Sequence, residues 1–468
     1  MRYLWTVFLG LAVLSGLSAL TVDEAVKQAK DHNLGLQTED LKLAQKTDEK
    51  NFASNRLYPT IDASTTLLRL NNLNLAQDEA LWLGVTAASN HGTPVPFPSA
   101  SYDKEDYHWI WSTGLKFQFI LNPAVFRGIT QTIIDYDNAR ISRDAAGARL
   151  DRDVRKTFYQ LLALHEATKV FESQLKVADD RYRLAKLNAE AGLGSDIAAL
   201  QSQVAFENRK PILADQKVNE DNALSAFRLL LNVPEATPLT LDGSLDVDPA
   251  VRKELSGLDV ETVVKRYLDG RWDVEAIKGT SKSLENLAKL QADSLWPTLI
   301  FGFSMDPSVS APFKSDTWSN PAYSKYNWSQ TNGALSATLD WRLDSFIPGS
   351  TTQMQIKDRE RQAQQARLGV EQTLRAGENE IRSIIGRLKK SAVSLEGLQL
   401  ALSLAERSSK LTEDGYQAGT QSLTDAQDAD LAYQTARLQY LNEELALQAS
   451  LADLEYALAA DRKEWLHG

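Results

Sequence analysis

The chain has 468 residues, with 62 acidic against 51 basic, a net charge of −11, five histidines and no cysteine. That balance, with no basic block to reverse it, argues against a nucleic-acid partner. The lack of cysteine excludes disulfides, thiolate metal sites, a cysteine nucleophile and a lipid-modified N-terminal cysteine. His32, His91, His108, His165 and His467 have no metal-ligand spacing, and the sequence asks for no cofactor.

Residues 1–19 read as a signal peptide: Arg2 precedes an apolar run that closes on Gly16, Ser18 and Ala19. No later run approaches the ~18 apolar residues of a spanning helix, so any membrane crossing is expected to use strands. The remainder is one unit written twice, 20–257 and 258–468, each with a helix, a strand pair, a long helical hairpin and a closing segment. Leu20–Val26 is matched by Leu258–Val264, and Tyr58-Pro59-Thr60 by Trp296-Pro297-Thr298. Each copy opens on a cap residue, Thr21 or Asp259, and predicts one helix of about 36 residues ending before its proline.

Strands follow in each copy. Trp109–Phe119 alternates Trp109, Trp111, Thr113, Leu115, Phe117 and Phe119 with His108, Ser112, Gly114, Lys116 and Gln118, and Ala334–Leu343 alternates in the same way. Thr60–Leu70 and Thr298–Ser304 are their noisier partners, joined through polar loops over Asn71–Tyr107 and Met305–Asn332. Strands of about ten residues with aromatic ends suit an outer-membrane barrel.

Long helices come next. Leu150, Val154, Thr157, Leu161, Leu164, Thr168, Phe171, Leu175, Ala178, Tyr182 and Ala185 keep a 3.5-residue period, as do Ile381, Ile384, Leu388, Ser391, Leu395, Leu398, Leu402 and Ala405. From Pro123 to Ala191 the helix would run ~100 Å. The return helix from Ser195 is half as long, with Pro211 expected to kink it and Asn232-Val233-Pro234 to stop it. The turns between descending and returning helices are Gly192-Leu193-Gly194-Ser195 and, 227 residues on, Gly419-Thr420-Gln421-Ser422. Only the second carries an acidic cluster, Asp425, Asp428 and Asp430.

Four strands cannot close a barrel, and lipid does not tolerate an open edge. Strands that span a membrane therefore require several copies; two would give eight strands with a filled interior, three would give twelve with a lumen. Helices of ~100 Å outrun a bilayer core of ~30 Å and must project into water.

The sequence resembles the TolC-like outer-membrane efflux protein family over essentially all of the mature chain. The resemblance rests on the doubled openings, the two aromatic-Pro-Thr sites, Leu229-Leu230-Leu231-Asn232-Val233-Pro234, Tyr416-x-x-Gly419-Thr420-x-Ser422-Leu423-x-Asp425 and Ala452-Asp453-Leu454-Glu455. It implies a mainly α protein with a membrane β-barrel: long coiled-coil hairpins forming an α-barrel tunnel, and four strands per chain in a trimeric twelve-stranded barrel. It further implies an outer-membrane exit duct of a tripartite efflux or type I secretion system, reaching into the periplasm. Its partners would be two further copies, outer-membrane lipid, a periplasmic membrane-fusion adaptor and an inner-membrane pump. The family's Asn-Pro-Asp-Leu-like motif survives only as Asn33-Leu34-Gly35-Leu36 and Arg271-Trp272-Asp273-Val274. The acid that some members set against a Tyr equivalent to Tyr416, as a tip latch, is Ala198 or Ala199 here, with Asp196 the nearby substitute.

Asp425 and Asp428 share one helix face; trimerised, they would set six carboxylates around an axis, repelling one another and favouring cations. By resemblance both fall where the family places its constriction acids. The plainer account is that acids in a first helical turn answer the helix dipole, which covers Asp425 and Asp430 better than Asp428. Gly192, Leu193, Ser195, Gly419, Thr420 and Ser422 are candidate adaptor contacts, although C-cap glycines followed by N-cap serines would also explain them. No nucleophile–base pair, metal cluster or phosphate loop points to an enzyme. The competing function is a non-conducting, barrel-anchored coiled-coil surface protein.

Overall fold

The computed structural model describes residues 19–69, 108–305, 308–310, 312–313 and 333–466. The expected signal segment, apart from its last residue, and most of both strand-joining loops lie outside the described residues. Contacts divide the chain into two compact units, one of 1–46, 136–281 and 366–468, the other of 47–135 and 282–365.

The first unit is helical. Helix α1 (Val22–His32) opens on a capping box: Thr21 Oγ1 accepts from the Glu24 amide, and the Glu24 carboxylate accepts from the Thr21 amide. At Asn33 the backbone turns extended and α2 (Leu34–Asn51) begins afresh. The single helix expected here is thus two. Asn33 Oδ1 accepts from the Leu36 amide and its Nδ2 donates to the Leu230 carbonyl, so the broken turn keeps its hydrogen bonds.

The long hairpins are α3 (Pro123–Glu190, 68 residues) with α4 (Asp196–Leu231), and α8 (Thr351–Gln417, 67 residues) with α9 (Leu423–Leu458). Pro211 sits within α4, which remains helical through it. Between the copies lies α5 (Pro249–Gly257), and the second copy opens with α6 (Val260–Tyr267), capped by Asp259. A 3₁₀ turn and Arg271 then separate α6 from α7 (Trp272–Asp293), a break that matches Asn33. Arg271 is buried there, 2.9 Å from Asp273 and 2.6 Å from Glu380. A Cβ on Gly377 would lie 2.9 Å from its Nε, so that glycine is what leaves the guanidinium room. Helix α10 (Arg462–Leu466) ends the described chain.

Two core clusters form, each centred on one copy but shared with the other: Leu441 joins the first, and Val247 and Leu255 join the second. In the first, α1 buries Ala25 and Ala29 against Val154, Phe158 and Leu161 of α3 and Phe227 and Leu231 of α4. In the second, Val263 and Val264 of α6 meet Ile381, Ile384 and Leu388 of α8 and Leu447, Leu451 and Leu454 of α9. The seam of α3 differs from an apolar count: Phe158, Gln174 and Arg181 are buried, while Thr157, Leu175 and Tyr182 are only half-buried. Polar residues occupy the seam there because partners on other helices hold them. No helix among the described residues is long and apolar enough to cross a membrane.

The second unit carries an antiparallel sheet of β1 (Thr60–Arg69), β2 (Trp109–Leu121), β3 (Thr298–Met305), β4 (Ser308–Ser310) and β5 (Gly333–Asp340). The order is β1-β2-β3-β5, and β4 continues the β3 ladder along β2 in the same register, with Leu115 opposite Met305 and Ser112 opposite Ser308. Four strands result, two from each copy. β5 stops at Asp340, short of the expected Leu343, which opens a 3₁₀ turn instead.

Because side chains alternate along a strand, this register sorts them into rows. Ile61, Phe117, Phe303 and Leu335 form one row; Asp62, Lys116, Ser304 and Ala334 form the next, on the opposite face. The outer strands β1 and β5 each pair on one side only among the described residues, and both are exposed throughout.

The two return helices stop alike. Asn232 (φ 53°) ends α4 and Ala459 (φ 50°) ends α9, both left-handed. Asn tolerates that region and Ala does not, because its Cβ crowds the following carbonyl. Ala459→Gly is expected to raise stability by about 1 kcal/mol, read as a higher denaturant midpoint of the detergent-solubilised protein.

Candidate functional site

The turns at the ends of the hairpins follow one pattern. In the first, Gly192 (φ 71°) donates to the Ala189 carbonyl at 3.0 Å and Leu193 donates to Asn188 at 2.8 Å. In the second, Gly419 (φ 74°) donates to Tyr416 at 3.0 Å and Thr420 to Gly415 at 2.8 Å. These are Schellman closures, which need a left-handed residue and so favour glycine. A serine then starts each return helix: Ser195 Oγ accepts from the Ile197 amide at 3.2 Å, and Ser422 Oγ from the Asp425 amide at 3.1 Å.

The tips nonetheless differ in chemistry. Leu193 crowns the first at 82% exposure, with Ile197 and Leu200 exposed behind it. The second crown is polar, with Thr420, Gln421 and Ser422 all exposed. Asp425 completes its capping box by accepting from both the amide and the hydroxyl of Ser422, at 3.2 and 2.6 Å. Those hydrogen bonds hold its pKa below the usual carboxylate range. Asp428 is exposed one turn on. Within one chain, then, Asp425 already serves the backbone, while Asp428 is exposed on the surface of the helix.

Asp430 behaves otherwise. It faces inward, is nearly buried, and lies at the centre of a polar network that ties the two hairpins together. Arg181 of α3 donates through Nε to Glu413 of α8 at 3.0 Å and through Nη2 to the Ala426 carbonyl of α9 at 3.3 Å, and lies 3.8 Å from Asp430. Arg209 of α4 lies 3.6 Å from Asp430 and donates to Gln174 at 2.9 Å and Gln434 at 3.3 Å. The Arg181 side chain is only 7% exposed. Burial raises the Asp430 pKa, against the pull of Arg181 and Arg209. Burial likewise lowers that of Arg209.

Tyr416 is half-buried beside this network. Desolvation pushes its phenol pKa up, and the charges that bear on it are Glu413 and Arg181. Asp196, exposed in the first turn of α4, is not among them. No group of three His, Asp or Glu among the described residues could hold a metal ion.

No family model matches the chain. An uncharacterized protein of Haemophilus influenzae is 22% identical over 329 residues, 68% of this chain and 68% of that protein. Among solved structures, the outer membrane protein VceC of Vibrio cholerae aligns with a TM-score of 0.69 at 12% identity, over 94% of this chain and 96% of its own. The CmeC outer membrane channel of Campylobacter jejuni gives 0.70 at 14%, over 93% and 85%. The open state of the MtrE outer membrane channel of Neisseria gonorrhoeae gives 0.69 at 16%, over 94% and 89%. The chain has the TolC-like fold of these channels.

The TolC-like fold accounts for the doubling, since each copy supplies two strands and one hairpin. It does not account for the inter-hairpin network, whose members have no counterparts in the other copy. The positions 227 residues from Arg181, Glu413 and Asp430 are Ser408, Lys186 and Gln203. Asp430 therefore answers Arg181 and Arg209 rather than the helix dipole, and Arg181, Arg209, Glu413, Gln174 and Gln434 carry no motif that announces them. The available signal was an arginine four residues before Ala185 and three after Ala178, in a buried stripe of small residues.

Removing one partner of a buried charge network strands the others. Arg181→Ala is expected to cost about 3 kcal/mol at neutral pH, seen as roughly 100-fold faster amide exchange at the start of α9. The abandoned Asp430 can take up a proton, so the penalty shrinks as pH falls through its raised pKa. Exchange corrected for intrinsic rates at pH 7 and pH 5 reads both effects.

Proposed function

We propose that this chain is the outer-membrane exit duct of an export system, a homotrimer whose hairpins extend into the periplasm. The observation that carries the reading is the sheet: four strands, one face mainly apolar, and two outer strands that pair on one side only among the described residues. Three copies joined edge to edge make a closed barrel of twelve strands, with the apolar rows toward lipid and the Asp62–Lys116 rows toward a lumen. The exposed apolar residues of the long helices, among them Leu200, Val204, Leu400 and Leu404, support neighbouring copies along the hairpins as well.

Passage through such a duct is passive, so energy comes from an inner-membrane pump coupled through a periplasmic adaptor. The tips Gly192, Leu193, Ser195, Gly419, Thr420 and Ser422 are where the adaptor docks, and the apolar first tip is the stronger anchor. Asp425 and Asp428 form the constriction, six carboxylates in the trimer, with Asp428 carrying more of the field because Asp425 is engaged by Ser422. Tyr416 acts beside the inter-hairpin network rather than through Asp196.

Planar-bilayer recording of the purified protein tests the duct. A steady, cation-favouring pore is expected, with higher conductance and weaker cation preference in Asp428→Ala and more so in Asp425→Ala/Asp428→Ala. Absence of a pore, or variants indistinguishable from the parent, would overturn the reading and favour a non-conducting surface protein. Leu193→Asp separates docking from conduction: export in cells is expected to fall at least tenfold while single-channel conductance stays the same.

A further inference from the structure

A groove of about 400 Å³ in the sheet unit is lined by Pro123, Phe126, Arg127, Thr130, Asp293 and Trp296. It lies where β2 passes into α3 and α7 passes into β3. Asn122 fastens these junctions by donating to Thr298 Oγ1 at 2.9 Å and to the Trp296 carbonyl at 3.4 Å. The walls are apolar and open to the outside, with Phe126 at 53% and Trp296 at 62% exposure. Trp341, one residue beyond β5, donates its indole N–H to the Leu295 carbonyl at 3.0 Å, so the groove adjoins the end of the sheet.

The polar end of the groove is a single ion pair, Arg127 Nε to Asp293 Oδ2 at 3.3 Å. Among the described residues this contact leaves both terminal guanidinium nitrogens and Asp293 Oδ1 without a hydrogen-bond partner. Asp293 is also the last residue of α7, where the helix dipole is negative and an added cation is favoured. A cation and an anion thus sit side by side at the mouth of an exposed aromatic groove.

A ligand that satisfies both carries a phosphate and a free ammonium a few bonds apart, with an apolar body for the walls. Guanidinium nitrogens grip phosphate oxygens in pairs, an ammonium donates to the carboxylate, and tryptophan beside phenylalanine suits the water–lipid boundary. We propose that this groove binds a zwitterionic membrane phospholipid bearing a primary ammonium, with its phosphate on Arg127 and its ammonium on Asp293. The proposal rests on the outer-membrane reading above, which brings this end of the sheet to the bilayer surface. An anionic glycerol headgroup would meet the Asp293 carboxylate with no cation, and a choline headgroup would bring no N–H to donate.

The full protein, reconstituted in vesicles of equal parts phosphatidylethanolamine, phosphatidylglycerol and phosphatidylcholine, is read by native mass spectrometry for the lipids it retains. Phosphatidylethanolamine is expected to be retained roughly tenfold over each of the others, the scale of one charge-assisted hydrogen bond. Asp293→Asn should bring that ratio close to parity, and Arg127→Gln should lower retention of all three, with vesicle insertion and conductance unchanged in both. An unchanged ratio in Asp293→Asn, or unchanged retention in Arg127→Gln, overturns the proposal while leaving the channel intact; a groove covered by a neighbouring copy would give that result. Failure of the parent protein to enter vesicles defeats the outer-membrane reading itself, and this proposal with it.

Discussion

The rest of the structure is arranged around a four-stranded sheet with one mainly apolar face, whose outer strands β1 and β5 each pair on one side only among the described residues. The backbone amides and carbonyls along the outer edges of β1 and β5 need partners wherever water is excluded. In the proposed trimer, further copies of the same sheet would supply those partners without any new sequence. The register makes this feasible, because rows such as Ile61–Phe117–Phe303–Leu335 are apolar across all four strands, so a further strand added at either edge can extend them. The same logic reaches the helices, where exposed leucines and valines on α4 and α8 find no cover within one chain.

The two halves of the chain close their helices in matching ways. Asn232 and Ala459 end the return helices in the same left-handed conformation, and Gly192 and Gly419 close the same Schellman turn. The two copies diverge at the break that follows the first helix of each. Asn33 bridges its break by hydrogen-bonding to backbone, whereas Arg271 fills the equivalent break with a buried charge that requires Asp273, Glu380 and the missing side chain of Gly377.

Much of this was legible in the sequence because it follows from local chemistry. Period-two alternation located β2 and β5 to within a few residues, their noisier partners lie at β1 and β3, and the Gly-to-Ser spacing located both tips. The helix breaks at Asn33 and Arg271 were not legible, since neither residue is a breaker by itself and both are held by partners about 200 and 109 positions away. The buried face of α3 was misread at three places for a related reason. An apolar count places Tyr182 in the seam, but Glu413 and Asp430 draw Arg181 inward, and only the tertiary fold reveals that pairing.

The three acids after the second tip illustrate how one residue type divides among tasks. Asp425 is spent on Ser422 and the first turn of α9, and its lowered pKa follows from hydrogen bonds that stabilise its charge. Asp430 is drawn between two arginines, and burial outweighs their attraction in setting its pKa. Asp428 is the acid left with its surface open, on the same face as Asp425 and turned from Asp430. Spacing alone fixes that geometry, since residues three apart align on a helix and a residue two further on does not. What spacing cannot reveal is that the inward acid has cations waiting for it, so that the cluster is one structural cap, one inter-hairpin tie and one free charge rather than a single ring.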